Sequence, residues 1–382
     1  MVALVPQNVA GHVNVVRDLA PTFWKGVSDL TVRNFLTMYN LRRFGRLTFN
    51  ARGHTQVWNA RIKQPTVSPA VENQPLAFVN TDTDIQYFIG IKGYRTTDFM
   101  GEQEYLMRDG AGDIAITDRY TRKSQELAQA MMERIQRAFW CDGNDSAFAY
   151  DFAGIGTATK YDTATLTAAD KVARPTGTYC GQNTAIGSLG GTWSVTAGDT
   201  PPNASLGTDF PFGQGSPEYD GTSPLIINYG PNIWGNGGTG FAKNIVSAAS
   251  YAMTAMLHRG GQSMVGAPPQ IAISSNLFPS FKDSFRANNR QIMPWKDGDL
   301  GYPGETLMVD GAVYSMDYAI PQNNAYMYLP QFLEAFFLHN DVYGPQGPDW
   351  STSHTGYLYY ASSYGNFKFL PKYLCRFVSK TA

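Results

Sequence analysis

Apolar residues recur at steps of three and four through one long stretch of the chain. Between Gly112 and Gly143 there is neither glycine nor proline, although the whole chain carries 38 Gly and 22 Pro. Within that window Ile116, Tyr120, Leu127, Met131, Ile135 and the Ala138/Phe139 pair form one stripe at helical spacing. The pattern predicts a helix over Asp118–Cys141, about 36 Å long at about 1.5 Å per residue. Asp118 or Thr117 caps its start by accepting a bond from a free helical N–H, and Asp118 also complements the positive end of the dipole. Glu133 and Arg137 make a favourable pair one turn apart, and Gly143 supplies a left-handed stop.

Weaker rhythms lie on either side. Residues 1–26 keep no period and read as an extended arm. Leu30, Phe35, Met38 and Leu41 then predict a short helix over Ser28–Arg43. Two-residue alternation predicts strands in Gln56–Lys63 and in Asp84–Thr97, where Ile85, Tyr87, Ile89 and Ile91 share a side. Between them Gln64–Thr83 carries Pro65, Pro69 and Pro75; at about twenty residues it is long for a hairpin connection in a compact domain. Such a connection fits a ribbon that reaches away from its own domain. Downstream the pattern predicts helices at Phe241–His258 and Asn276–Arg290 and a buried strand at Gln270–Ser274. Glu305–Asp317, Ala325–Leu329 and Gly356–Arg376 are rich in Tyr, Phe, Val and Leu, which favours strands. The order is mixed rather than alternating, so the class is α+β.

Composition narrows the function. With 382 residues and a net charge of −1, the chain can bury a sizeable core and has no strong overall field toward nucleic acid or membrane. Charged residues are 16%, low against a usual quarter, which points to a surface covered largely by other protein. The charge is unevenly spread. Residues 1–46 hold six basic side chains against two acidic ones, whereas Pro175–Ala242 has four acids and no Lys or Arg. The Gly/Thr-rich stretch Asp151–Gly240 reads as a surface elaboration. No run of apolar residues is long enough to span a membrane, and the N-terminus lacks the basic segment of a signal peptide. Cys141, Cys180 and Cys375 fit neither a disulfide framework nor a zinc site, which suits a reducing compartment.

Reactive constellations are not found. Gly235–Gly240 satisfies G-x-G-x-x-G, but Pro231 interrupts the approach and the next acid is Asp283, too late for a ribose contact. Asn80–Asp84 begins like a calcium loop, yet Ile85 and Ile91 stand where glycine and glutamate are required. The five histidines have no metal-ligand spacing. Glu102 and Glu104 share a strand face and read as partners of Arg or solvent. The expectation is a protein with no catalytic, cofactor or metal residues.

The order of elements is specific: a basic arm, a short helix, a long two-stranded loop, a glycine turn, then a long helix closed by Trp140-Cys-Asp-Gly-Asn144. It resembles the major capsid proteins of tailed double-stranded DNA bacteriophages, those of the Hong Kong 97 type. Arg46–Met100 looks like that family's E-loop and Asp118–Cys141 like its spine helix. Pro268–Phe281, Gly304–Pro321 and Ala325–Leu338 are similar to the strands and helix of its axial and closing regions. The resemblance implies an arm and short helix at 1–45, the E-loop at 46–100 and a peripheral domain at 101–150. An axial domain would follow at 151–303, with a return to the peripheral domain at 304–350 and closing strands at 351–382. It implies self-assembly into hexamers and pentamers of an icosahedral shell in the virion, put together in the host cytoplasm. Portal, scaffolding and decoration proteins are the implied partners, with packaged DNA as a non-specific contact. Trp58, Phe78 and Tyr87 are then candidate anchors on a neighbouring subunit; Arg42, Arg43, Arg119, Arg122 and Lys123 are candidate DNA-facing residues. The loop tip Gln64–Asp84 has no lysine, so a lysine–asparagine cross-link there is not expected. An encapsulin-type compartment, and in another class a β-rich carbohydrate-active enzyme, are the alternatives.

Overall fold

The computed structural model describes residues 36–61, 84–102, 113–164, 166, 171–173, 175–184, 223–230, 234–235, 238–260, 268–287, 306–340, 342, 344–353 and 355–380. In chain order the helices are α1 (Leu36–Arg43), α2 (Asp113–Trp140), α3 (Ile155–Ala158), α4 (Phe241–Gly260) and α5 (Phe278–Ala287). The first strands are β1 (Leu47–Thr48), β2 (Thr55–Arg61), β3 (Asp84–Gly90) and β4 (Lys92–Gly101), followed by β5 (Thr178–Tyr179), β6 (Gln182–Asn183) and β7 (Leu225–Asn228). The later ones are β8 (Gln270–Ser274), β9 (Thr306–Val309), β10 (Ala312–Asp317), β11 (Ala325–Tyr328), β12 (Leu333–Phe337), β13 (Gly344–Ser351), β14 (Gly356–Phe369) and β15 (Leu374–Val378).

The chain divides into two compact units. The smaller takes in Tyr94–Glu133 and Asp341–Ser363; the larger takes in Asn34–Gly93, Arg134–Asn340 and Tyr364–Ala382. In the smaller unit β14 pairs antiparallel with β13 and also with β4.

In the larger unit, six strands form a mixed sheet in the order β7-β15-β11-β8-β10-β9. Helices α4 and α5 cover one face. Ile245, Ala249, Ala252 and Phe281 pack there against Ile271, Ile273, Tyr314, Met327 and Phe377 in one apolar cluster. Small residues on α4 let the helix lie close to the strands, and the β-branched residues of β7 and β8 suit a sheet buried on both sides. Over the other face lies the C-terminal end of α2: Trp140 is 5.1 Å from Tyr326, and Phe139 meets Tyr328 edge-on at 6.3 Å. Phe139 also meets Phe367 edge-on at 5.0 Å, and Phe152 in turn packs on Phe367 at 5.5 Å. The C-terminal part of β14 pairs here with β12, which pairs parallel with β1. At Gly154 the backbone runs so close to the last carbonyls of α2, those of Ala138, Phe139 and Cys141, that no Cβ fits.

The long helix is present and longer than expected, with 28 residues beginning at Asp113. No glycine or proline separates Asp113 from the predicted cap, so nothing stops the helix before Gly112. Its stripe is buried as expected at Leu127, Met131, Ile135, Ala138 and Phe139. Two expectations are corrected and one is sharpened. Asp84–Thr97 is not one strand: β3 ends at Gly90, the Ile91 N–H makes one further bond to the His54 carbonyl (3.0 Å), and β4 then joins β14 instead of β2. Glu305–Asp317 is two strands around Asp310–Gly311, both at positive φ (50° and 80°). The stretch Asp151–Gly240 is not wholly a surface elaboration, since Phe152, Ile155 and Ala158 are fully buried and β7 is a sheet strand. The apolar run Leu225–Ile227 outweighs the glycine-rich composition around it.

Candidate self-association surface

Strands β2 and β3 form an antiparallel ribbon in which Trp58 faces Tyr87 and Val57 faces Phe88. Because successive side chains alternate, these pairs lie on opposite faces. On the inner face Trp58 and Tyr87 stack at 5.5 Å with their planes 10° apart, and Tyr87 is 0% exposed. On the outer face Val57 and Phe88 stay 52% and 51% exposed. Complete burial of one such side chain is worth about 1.5–3 kcal/mol, and here about half of that surface stays open.

A small hairpin fixes the ribbon at its root. Strands β5 and β6 are joined by Cys180 (φ 52°) and Gly181 (φ 80°), and two positive φ values in a two-residue loop make a type I′ turn. The Phe88 N–H donates to the Cys180 carbonyl (3.3 Å), and Gln182 Nε2 donates to the Gln86 carbonyl (2.9 Å). Tyr179 ties this hairpin to β14. Its ring stacks on Phe369 at 4.0 Å, and its hydroxyl donates to the Phe367 carbonyl (2.9 Å) while accepting from the Phe369 N–H (3.2 Å). A Cβ at Gly181 would run into the Phe88 ring. Gly181→Ala is therefore expected to destabilise the subunit by about 2 kcal/mol, combining a strained φ with overpacking, as read by chemical denaturation. A loss below a few tenths would mean that the hairpin does not brace the ribbon.

Burial pushes the Cys180 thiol up to about 12, against a smaller opposing effect of its hydrogen bond with Tyr179. Since the thiolate is the nucleophile, iodoacetamide near neutral pH should leave Cys180 unmodified in the folded subunit and alkylate it after unfolding. Peptide mass mapping of the two samples makes the comparison.

In the larger unit, α1, α2 and β10 meet at a buried carboxylate. Asp317 Oδ2 accepts from Thr37 Oγ1 (3.0 Å), Trp140 Nε1 (3.0 Å) and Gln136 Nε2, and its Oδ1 accepts from the Ala319 N–H (2.9 Å). Burial raises its pKa above the ordinary carboxylate value, and these four donors work in the opposite direction. Gln136 also donates to Thr37 Oγ1 (2.9 Å) and is itself fully buried. The hub ties the short helix to the end of the long one.

At the ribbon root a pocket of about 290 Å³ opens between β2, β12 and the C-terminal end of β14. Arg46, Trp58, Gln331, Glu334, Lys368 and Lys372 stand in its walls. Lys368 lies 3.2 Å from Glu334, with its ammonium 5.3 Å from the centre of the Trp58 ring. Arg46 Nε, Trp58 Nε1 and Gln331 Nε2 are buried and find no acceptor among the described residues. A buried donor left without a bond costs about 1–3 kcal/mol.

The residues singled out from the sequence are thus divided. Trp58 is half-buried on the ribbon's inner face. Tyr87 is corrected as an anchor, because its own chain covers it completely between Trp58 and Tyr179. Phe78 lies outside the described residues. Arg42 and Arg43 close α1; Arg42 is exposed, and the Arg43 guanidinium lies 5.5 Å from the centre of the Phe44 ring. Arg119, Arg122 and Lys123 are on the first half of α2, where side chains are outside the described set. The outward pair Val57 and Phe88 was missed. The signal for it was the same alternation that singled out Trp58 and Tyr87, taken one residue over. Among the described residues no group of three or more His, Cys, Asp or Glu could hold a metal ion, and no helix is long and apolar enough to cross a membrane.

No family model matches the sequence, and no curated protein is similar to it in sequence. Solved structures are similar in fold. The capsid of cyanophage A-1(L) matches at a TM-score of 0.57 and 15% identity, over 94% of this chain and 96% of that one. The capsid of cyanophage P-SCSP1u matches at 0.52 and 13% identity, over 96% and 95%. The capsid of an empty GTA particle matches at 0.51 and 11%, over 94% and 100%. These matches take in nearly the whole chain. The chain has the fold of phage major capsid proteins, the Hong Kong 97 type of α+β fold.

Proposed function

We propose that this chain is the structural subunit of a phage-type capsid and acts by binding copies of itself. The observation that carries this reading is a capsid fold spanning 94% of the chain, together with a ribbon that leaves Val57 and Phe88 uncovered. An apolar pair at about half exposure on a two-stranded projection suits burial against another copy. Repetition of one such contact around a closed ring builds a capsomer. Contacts of this kind bury at least about 1,000 Å² in total, more than two side chains supply, so neighbouring ribbon surface takes part. Hexamers and pentamers of an icosahedral virion shell are the assembly proposed. Assembly takes place in the host cytoplasm, with a portal and with scaffolding or decoration proteins as further partners.

The role is structural, not catalytic. Arg42 and Arg43, with Arg119, Arg122 and Lys123, are proposed as a basic set toward packaged double-stranded DNA, held by salt-sensitive phosphate contacts. Electron microscopy of the purified protein tests the central reading. Closed particles or rings of five and six copies are expected. A protein that stays monomeric at high concentration, with and without a co-expressed scaffold, would overturn it.

A further inference from the structure

Four consecutive residues of β14 hold the ribbon or the hairpin at its root. Asn366 Nδ2 donates to the carbonyl of Gly90 (2.9 Å), where β3 ends. The Phe367 carbonyl accepts from the Tyr179 hydroxyl, the Lys368 ammonium lies 5.3 Å from the centre of the Trp58 ring, and the Phe369 ring stacks on Tyr179. Asn366 does most with one side chain. It is 0% exposed, and its Oδ1 accepts from the N–H groups of Ala153 (2.8 Å) and Phe367 (2.9 Å). The amide therefore joins the last residue of the ribbon to the segment pressed against the final carbonyls of α2. Past the joint, Lys92 Nζ donates to the carbonyls of Ala149 (2.9 Å) and Asp151 (2.6 Å). Arg134 in turn holds both carboxylate oxygens of Asp151 (2.8 Å each).

Leverage makes this joint matter. Phe88 stands two residues from Gly90, about 7 Å of strand at about 3.3 Å per residue. A swing of about 20° at the joint would carry Phe88 about 2 Å, against the roughly 0.5 Å within which a binding surface has to be held. Gly90 has no Cβ to restrict such a swing, so the restraint comes from the side-chain bonds around it. We infer that Asn366, with Lys92 beside it, is a positioning residue for self-association: it sets the angle of the ribbon in the free subunit, so that Val57 and Phe88 meet the next copy already in place. The inference rests on the self-assembly reading and adds to it the residues that govern its geometry. A surface ordered in advance gives up little conformational freedom when it binds.

Hydrogen exchange of the free subunit, read peptide by peptide by mass spectrometry, tests this alongside particle yield. In the native chain the bonded amides of β2 and β3 should exchange at least about 100-fold more slowly than an unstructured chain. Ribbon amides that exchange like unstructured peptide would overturn the inference at once. Asn366→Asp keeps the acceptor for Ala153 and Phe367 but replaces the donor to Gly90 with a second oxygen. Lys92→Met keeps the apolar stem at a half-buried position, and serves if the aspartate variant does not fold. Either variant should speed exchange in β2 and β3 by about tenfold, the scale of one hydrogen bond, leave β8 and β11 unchanged and lower the yield of closed particles. Exchange that stays at the native rate in the ribbon, or rises evenly through β8 and β11, would reduce both residues to ordinary packing and sink the inference. A loosened ribbon that still gives native particle yield would also sink it and leave the self-assembly reading intact. A native chain that forms no particles would overturn both.

Discussion

Asp317→Ala should cost the subunit about 3–5 kcal/mol, since three buried donors lose their shared acceptor at about 1–3 kcal/mol each before relaxation. The deletion strands the Thr37 hydroxyl, the Gln136 amide and the Trp140 indole N–H together, and all three parent residues are no more than 1% exposed. Each buried donor without an acceptor costs about 1–3 kcal/mol, so even partial relaxation leaves a loss large against the 5–15 kcal/mol of a typical domain. Asp317→Asn should fall between. An amide can place its oxygen where Oδ2 was, but its NH₂ group then opposes the Ala319 N–H, so one bond is lost and the charge with it. Urea denaturation of the three proteins gives the ranking. An alanine variant within 1 kcal/mol of the native protein would show that the site relaxes or fills with water, and that the hub does not tie α1 to α2.

Replacing Val57 by Asp should have the opposite profile. At 52% exposure the side chain contributes little to its own subunit, so the free subunit should unfold within about 0.5 kcal/mol of the native one. Assembly should suffer far more, because the change puts a charge into a contact repeated in every copy. A yield of closed particles lower by about tenfold corresponds to only about 1.4 kcal/mol at one contact. Val57→Ile, which keeps the surface apolar, should assemble like the native chain. Normal particle yield from the aspartate variant would remove the outer face of the ribbon from the interface.

The long helix was legible because nothing competes with it. A breaker-free window and the stripe from Leu127 to Phe139 leave no other way to bury those residues. Gln270–Ser274 has the bounds read from its apolar run, flanked by Pro269 and Asn276. The ribbon was legible as a pair of strands, but not as to which face is covered. Alternation groups Trp58 with Tyr87 and Val57 with Phe88, and both faces carry an aromatic residue. The cover over Tyr87 comes from Tyr179, which no local pattern connects to it. The polar hub is harder still. Asp317 binds side chains 280, 181 and 177 residues away in sequence, and nothing around Thr37, Gln136 or Trp140 marks them as its donors. The Asp310–Gly311 turn was legible in principle, since Asp-Gly between apolar runs is a strong hairpin signal. The reading by composition stopped at a strand-rich segment and did not place the turn within it. Strand β7 was masked by composition, because three residues of apolar run cannot outweigh dozens of Gly, Thr and Ser in a reading by averages.

The position of β15 in its sheet has a kinetic consequence. Residues Leu374–Val378 lie between β7 and β11, pairing parallel with one and antiparallel with the other, so an inner strand of the sheet is synthesised after all its companions. Until it leaves the ribosome, β7 lacks its partner in the sheet and β11 has one edge open, each a template for pairing with another chain. Pairings over such separations also fold slowly, because loop closure precedes the gain from contact. The larger unit is therefore completed only once β15 has been made and has inserted between β7 and β11.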